Sequence, residues 1–359
     1  MTPIAAERLV RQRLAGPLLT TPEAVVDWLG AVQAQDASGA VWAVAQRTVG
    51  ATAATVEAAL DAGLLLRTHV LRPTWHLVRP ADLRWMLVLT APRVRRQLSQ
   101  YDQRLEIDGP LLARVHAVVA DLLAGGRHRT RAEIGAKLAE AGIEARGQRL
   151  AHVMMHAELD ALVCSGARQG AHQTYALVEE RVPATPEQSP DEALARLARI
   201  YLQSHGPATA HDLAWWSGQT VTAARRAIDA LGADADARDI DGTAYWTVGD
   251  PPAALPDVPP IHLLPNYDEH VVAYRDHGAS LDPGAPDALR GWGNGSTPHQ
   301  ITRGGLVVGG WRRVHHADHT DVRATLYLPL TPDERACLQA AADGYSRHLE
   351  RPVTLIMEG

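Results

Sequence analysis

The sequence of 359 residues contains no phenylalanine, a single lysine and only two cysteines. Cys164 and Cys337 lie far apart, which excludes a disulfide framework and a zinc site built on cysteine pairs, and is typical of a reducing compartment. No apolar stretch reaches the roughly 20 residues that a transmembrane helix needs, and the N-terminal residues lack the apolar core of a signal peptide. We therefore expect a globular cytoplasmic protein.

Positive charge is not in excess, since 35 basic and 41 acidic residues leave a net charge of −6. That balance argues weakly against a nucleic-acid partner. The basic residues are nevertheless almost all arginine, and they cluster at 92–104, 125–131 and 311–316. Because a local basic stripe rather than the total charge binds phosphate, a nucleic-acid partner stays open. The alternative is that these clusters are solvated helix faces in an arginine-biased sequence.

One pattern, three helices followed by two short strands, recurs three times along the first 250 residues. In the second copy, apolar residues at helical spacing between 111 and 122 precede Thr130 and Glu133, which form a capping box for the next helix. In the third copy, Asp241-Gly242 marks the tip of a hairpin. Three helices and a hairpin are the plan of a winged-helix unit, so we expect three such units at 1–105, 106–185 and 186–250.

After the proline-rich segment 250–260 the pattern changes to strands. Apolar and polar residues alternate in "HLLPNYDEHVVAYRD", "HQITRGGLVVGGWRRV" and "ATLYLPL", before a capped helix and a closing strand, "PVTLIM". We expect a β-rich C-terminal domain at 255–359 and an α+β fold overall.

The stretch "AVQAQDAS" places Gln33 and Gln35 in a predicted connection between two helices. In an extended segment, residues two apart point the same way, so the two amides would face one cleft and could hold a water or a polar ligand. The alternative is that both amides satisfy loose backbone groups where the helices meet.

The surrounding sequence resembles the winged-helix DNA glycosylase family typified by the azinomycin-resistance enzyme AlkZ. The resemblance is carried by "RLVRQRLAGP", "LGAVQAQDASGAVWAVAQR", "LLRTHVLRPTWHLV" and "LVCSGARQGAHQTYALVEERVP", and by "LLPNYDEHVVAYRD" and "GLVVGGWRR" in the C-terminal part. It implies three tandem winged helices in a C-shaped scaffold, and a Gln–apolar–Gln catalytic motif that matches Gln33-Ala34-Gln35. The sequence departs from the family pattern at Tyr267, where phenylalanine is commoner, and lacks the proline often found after Asp36.

Paired amides suit only some substrates. A glutamine does not ionise near neutrality and cannot act as a strong general base, so the leaving group must already depart easily. Guanine alkylated at N7 is such a group because its ring is cationic, and the amide oxygens need only place a water and stabilise an oxocarbenium-like transition state. The only lysine, Lys137, is far from the motif in sequence, which predicts hydrolysis without a Schiff base and without strand cleavage.

The sequence offers further candidates for the cleft, for DNA contacts and for a metal site. Asp36 is either a helix cap or a member of the site, and four residues of the first wing could line the same cleft or merely bond strand ends: Arg67, Thr68, Arg72 and His76. We expect DNA contacts from Arg146, Arg149, Arg168, Gln169, His172, Trp311, Arg312, Arg313 and His315. Trp311 could instead belong to the core of the β-rich domain. The cluster His315, His316, Asp318, His319 and Asp321 could bind a metal, but a polar hairpin tip or a DNA-contacting loop is favoured, so we expect no metal and no cofactor.

Together these features predict a monomeric, monofunctional DNA glycosylase that acts on double-stranded DNA containing alkylated purines. Its substrate would be bulky or crosslinked N7-alkylguanine, and it would give self-resistance to a DNA-alkylating natural product. The rival hypothesis is a winged-helix DNA-binding protein without catalysis, such as a transcriptional regulator, although regulators usually dimerise on palindromes and have no need of paired amides in a loop.

Overall fold

The computed structural model describes residues 3–186, 188–250, 260–282, 284–285 and 299–358. The proline-rich segment predicted from the sequence lies almost entirely outside these residues. The fold is α+β, as predicted. The chain divides into two compact units, of which unit 1 comprises Met1–Glu57, Ala195–Trp216 and Thr220–Gly359, and unit 2 comprises Ala58–Leu194 and Ser217–Gln219.

The helices of the described residues follow in chain order. They are α1 Pro3–Arg11, α2 Pro22–Leu29, α3 Ala37–Ala45, α4 Ala53–Asp61, α5 Pro80–Arg104, α6 Gly109–Leu123, α7 Arg131–Glu140, α8 Gly147–Leu159, α9 Val178–Arg181, α10 Pro190–His205, α11 Ala210–Ser217, α12 Val221–Asp229, α13 Glu269–Val272 and α14 Pro332–Leu349. Among these described segments, none is both long and apolar enough to cross a membrane.

The strands are short in the first 250 residues and longer after them. They are β1 Val32–Gln33, β2 Leu66–His69, β3 Trp75–Val78, β4 Arg129–Thr130, β5 Val163–Ser165, β6 Thr174–Leu177, β7 Ala235–Ile240, β8 Thr243–Val248, β9 Ile261–Leu264, β10 His299–Arg303, β11 Leu306–His315, β12 Thr320–Leu326 and β13 Val353–Glu358.

Unit 1 is organised around a five-stranded sheet in the order β13-β12-β11-β10-β9. All neighbours are antiparallel except β12 and β13, which run parallel because α14 connects β12 back to the start of β13. The β7–β8 hairpin turns at Asp241 and Gly242, the predicted hairpin tip, and both residues have the positive φ of a two-residue type I′ turn.

Unit 2 has its own hydrophobic core. Helices α6, α7 and α8 contribute Val119, Ile134 and Val153, and β5 contributes Val163, all fully buried. The β4-β6-β5 sheet lies beside these helices, and Thr130 and Glu133 form the predicted capping box of α7. The second predicted succession of three helices and a hairpin is therefore present in order.

Two segments differ from the sequence prediction. The alternation in "HLLPNYDEHVVAYRD" continues as a strand only to Leu264, because Asp268 caps the short helix α13 with its side chain and ends the extended conformation. The 25-residue helix α5 was not predicted, since its apolar positions are interrupted by arginines and by Pro92. The division into four domains stays a prediction, since it depends on element order alone.

Candidate active site

The glutamine motif lies in the connection between α2 and α3, as its sequence predicts, but the connection is extended only at Val32 and Gln33 and bends at Gln35 and Asp36. Helix α2 ends at Leu29, and Gly30 follows with a φ of 77°. A Cβ at that glycine would lie 2.5 Å from Ile200 Cγ2, so only glycine allows both the left-handed conformation and the close approach. The chain then runs extended through Val32 and Gln33 and enters α3 at Ala37.

The two glutamines occupy different environments. Gln33 is 7% exposed, and its backbone N–H donates to Glu269 Oε1 at 2.7 Å. Among the described residues, no group donates a hydrogen bond to its buried side-chain oxygen Oε1. Gln35 is exposed. Since a buried carbonyl oxygen without a partner costs about 1–3 kcal/mol, Gln33 Oε1 is suited to accept from a water or a substrate.

Glu269, 236 residues further along the chain, holds the backbone of Gln33. Its second oxygen, Oε2, accepts from Trp216 Nε1 at 2.9 Å and lies 3.4 Å from His205 Nε2. Burial lowers the pKa of His205, so that imidazole is neutral near pH 7 and adds no positive charge beside the carboxylate. No local sequence pattern singles out Glu269, although it belongs to the segment "NYDE" within "LLPNYDEHVVAYRD", which carries part of the family resemblance.

Asp36 is the N-cap of α3. Its Oδ1 accepts from Gly39 N at 3.1 Å and from Ser38 Oγ at 2.8 Å, and its Oδ2 lies 3.2 Å from an Arg313 nitrogen. Burial alone would raise the pKa of Asp36, but these hydrogen bonds and the Arg313 charge outweigh it and lower the pKa. Of the two roles that the sequence left open, the geometry supports the helix cap.

A buried ion pair fixes the far end of α3. Arg47 donates to both oxygens of Asp268, at 2.7 and 2.9 Å, and its Nε donates to the Gln12 carbonyl at 2.9 Å. Burial raises the pKa of Asp268, and the larger effect of the Arg47 charge and hydrogen bonds lowers it. The adjacent residues Asp268 and Glu269 thus hold the two ends of one segment, 33–47.

Trp311 lies in the core of unit 1. It is 4% exposed, its Nε1 donates to the Leu264 carbonyl at 2.8 Å, and its ring packs against Tyr345 with 5.3 Å between centroids. Trp42 also packs against Tyr345, with 5.1 Å between the ring centroids. This is the core position that the sequence left as the alternative, so we omit Trp311 from the proposed DNA contacts.

The β11–β12 hairpin carries the other predicted contacts of the C-terminal part. The Arg312 side chain is 56% exposed and pairs with Glu358, whereas Arg313 is largely buried and donates to Ser38 Oγ at 2.7 Å. His315 is exposed at the end of β11 and lies 3.0 Å from Thr320 Oγ1. Of the three, Arg312 and His315 present accessible polar atoms, and Arg313 instead stabilises the glutamine segment.

Three residues of the possible metal cluster lie close together at the tip of the β11–β12 hairpin: His316, His319 and Asp321. His316 and His319 stack with 4.4 Å between ring centroids, and their Nε2 atoms lie 3.1 and 3.4 Å from the two oxygens of Asp321. Arg323 also donates to Asp321 at 3.2 Å and supplies a positive charge where a metal would bind. The side chains of this polar hairpin tip therefore bond one another without a metal ion.

The predicted cleft residues of the first wing lie on the β2–β3 hairpin of unit 2. Thr68 and His76 face each other across the two strands and are fully buried. Because His76 Nδ1 bonds a backbone carbonyl at Thr74, that nitrogen carries the proton, and burial holds the pKa of His76 well below its usual value. The Arg67 guanidinium lies over the Trp75 ring, 4.1 Å from its centroid.

Arg72 follows β2 in the turn of the same hairpin and is half-buried. The four wing residues belong to unit 2 and the glutamines to unit 1. A common cleft stays a prediction.

The remaining predicted DNA contacts lie in unit 2. The Arg168 side chain donates to both oxygens of Asp61, at 2.8 Å to Oδ2 and 3.1 Å to Oδ1, and is therefore held within the unit. Gln169 and His172 are exposed at the tip of the β5–β6 hairpin. Arg146 is exposed at the start of α8, whereas Arg149 donates to the carbonyls of two loop residues, Glu144 and Glu106.

The family model described as DNA glycosylase AlkZ-like matches residues 26–348. The fold is similar to that of the DNA glycosylase AlkZ of Streptomyces sahachiroi, with a TM-score of 0.78, 22% sequence identity and coverage of 98% of each chain. No curated protein sequence matches the chain. The family match covers the glutamine motif, the cap at Asp36 and the carboxylate at Glu269, and the chain belongs to the AlkZ-like DNA glycosylase family.

Proposed function

We propose that this DNA glycosylase is monofunctional and hydrolyses the N-glycosidic bond of N7-alkylguanine in double-stranded DNA. Bulky adducts and interstrand crosslinks at N7 are the expected substrates, and self-resistance to a DNA-alkylating natural product is the expected role. We also expect the protein to act as a monomer in the cytoplasm.

One observation carries this proposal: a buried glutamine in the motif position has a side-chain oxygen without a protein partner among the described residues. An amide oxygen can orient a water and stabilise positive charge on the sugar, but it cannot deprotonate that water. Catalysis by Gln33 and Gln35 therefore requires a base that leaves without prior protonation, as N7-alkylguanine does.

Lys137 supports the absence of strand cleavage. It is the only lysine in the sequence, and its Nζ lies 3.0 Å from Glu140 Oε2 on the exposed side of α7. A surface lysine whose amine is engaged by a neighbouring carboxylate is a poor candidate for the nucleophile of a Schiff base.

The test is single-turnover release of 7-methylguanine from duplex DNA by the wild type, Gln33→Ala and Gln35→Ala. Removing a group that acts in the transition state should lower the rate constant by about 100-fold or more. Release that neither substitution changes would contradict the catalytic assignment. If the wild type releases no base but binds one DNA sequence specifically, the rival hypothesis of a regulator is favoured.

A further inference from the structure

Three charged side chains among the described residues of 262–313 hydrogen-bond the glutamine segment, 33–47. Glu269 accepts from Gln33 N, Arg313 donates to the cap at Asp36, and Asp268 pairs with Arg47 at the far end of α3. The second and third contacts stabilise the helix that follows the motif. Only the first contact is made to a glutamine of the motif itself.

We propose that Glu269 is a positioning residue for the reaction, because it holds the backbone from which the Gln33 side chain projects. The inference rests on the proposed function to the extent that Gln33 is catalytic. The Glu269 carboxylate bonds protein groups rather than the substrate. Its role is to keep the amide oxygen of Gln33 in one place.

The chemistry of the contact explains why a carboxylate stands there. Glu269 is 1% exposed, and both groups that bond it, Gln33 N–H and Trp216 Nε1–H, are donors. A carboxylate offers an acceptor to each, and hydrogen bonds to a charged acceptor are about twice as strong as neutral ones. A glutamine at 269 would turn its NH₂ toward one donor, and an apolar residue would leave both unpaired.

The position of Gln33 matters more than the stability that the contact contributes. A reacting group displaced by about 1 Å can lose about 100-fold in rate even when the protein remains folded. Loss of the Glu269 carboxylate removes the acceptor of the Gln33 backbone N–H within unit 1.

The experiment compares Glu269→Met with a matched control, Tyr274→Phe. Tyr274 is buried five residues along the chain, and its hydroxyl accepts from Gln12 Nε2 and donates to the His205 carbonyl, so its loss removes buried hydrogen bonds without touching the motif. We measure the single-turnover rate constant for 7-methylguanine release, the amplitude of release and Tm. E269M should lower the rate constant by about 10- to 100-fold, and Y274F by less than about threefold.

A purely structural role would reduce the amplitude and Tm of both variants and leave their rate constants alike, and that result would overturn the proposal. If E269M does not fold, Glu269→Gln takes its place. Its rate constant should fall below that of Y274F, and equality between the two would equally overturn the proposal.

A second readout does not depend on base release. Amide hydrogen exchange of the peptide covering residues 31–38 should be faster in E269M than in the wild type and unchanged in Y274F. Unchanged exchange in E269M would overturn the positioning role. A wild type that releases no 7-methylguanine would contradict the proposed function, while the exchange result would still decide whether Glu269 holds Gln33.

Discussion

At the scale of single residues, the two glutamines of the motif do not form a symmetric pair. Gln33 is buried and bonded through its backbone to a carboxylate, and Gln35 is exposed. Spacing alone suggested that both amides face one cleft, and it could not distinguish their environments, because burial depends on residues more than 200 positions away. We therefore expect Gln33 to be the better-positioned member of the pair.

Asp36 gives the first prediction at this scale. Asparagine is as good an N-cap as aspartate, so Asp36→Asn removes only the ion pair with Arg313, whereas Asp36→Ala removes the cap as well. D36A should lower the free energy of unfolding by about 1–2 kcal/mol. D36N should lower it by less than about 1 kcal/mol, because about a fifth of each side chain of the Asp36–Arg313 pair still reaches solvent, which screens the pair. Urea denaturation measures both values.

The release rate of D36N distinguishes the cap from a catalytic role. D36N should keep the rate constant for 7-methylguanine release within about threefold of the wild type. A loss of about 100-fold in folded D36N would mean that the Asp36 carboxylate takes part in the chemistry.

At the scale of elements, the hairpins differ in how their arginines are engaged. Arg312 on β11 is more than half exposed and pairs with Glu358 at the end of β13, a contact that a phosphate can replace. Arg168 on the second wing is held by both oxygens of Asp61, and that hydrogen-bonded arginine lowers the Asp61 pKa. Both arginines were predicted to contact DNA because the sequence shows their charge but not the carboxylates that they pair with.

Salt dependence of binding to undamaged duplex DNA separates the two arginines. Each phosphate contact contributes about 0.9 to the slope of log K against log salt concentration. Arg312→Ala should reduce that slope by about 0.9, whereas Arg168→Ala should leave it unchanged. Equal reductions in both variants would show that Arg168 leaves Asp61 to bind phosphate.

At the scale of the whole molecule, local signals in the sequence predicted most elements. Signals that act over three or four residues predicted three features correctly: the cap at Thr130, the Asp241-Gly242 turn and the final capped helix. Helix α5 was not predicted because its apolar face is interrupted. The strand that ends at Leu264 was predicted too long, because the sequence pattern does not show that Asp268 caps a helix there.

The candidate site was predictable only in part. The motif and its place in a connection between two helices follow from local spacing and from the family resemblance, whereas the bend at Gln35 does not. Glu269 and the buried position of Trp311 arise from contacts across long stretches of chain, which no local pattern encodes.

The central claim is that two amides restrict this glycosylase to bases that leave without protonation. The most direct measurement compares single-turnover release of cationic 7-methylguanine with that of neutral hypoxanthine from the same position in one duplex. A leaving group that needs an acid gains about 100- to 10,000-fold from one, and an amide site offers none, so 7-methylguanine should be released at least about 100-fold faster. Release of hypoxanthine within about tenfold of 7-methylguanine would contradict the claim, because it would require an ionisable acid in the site.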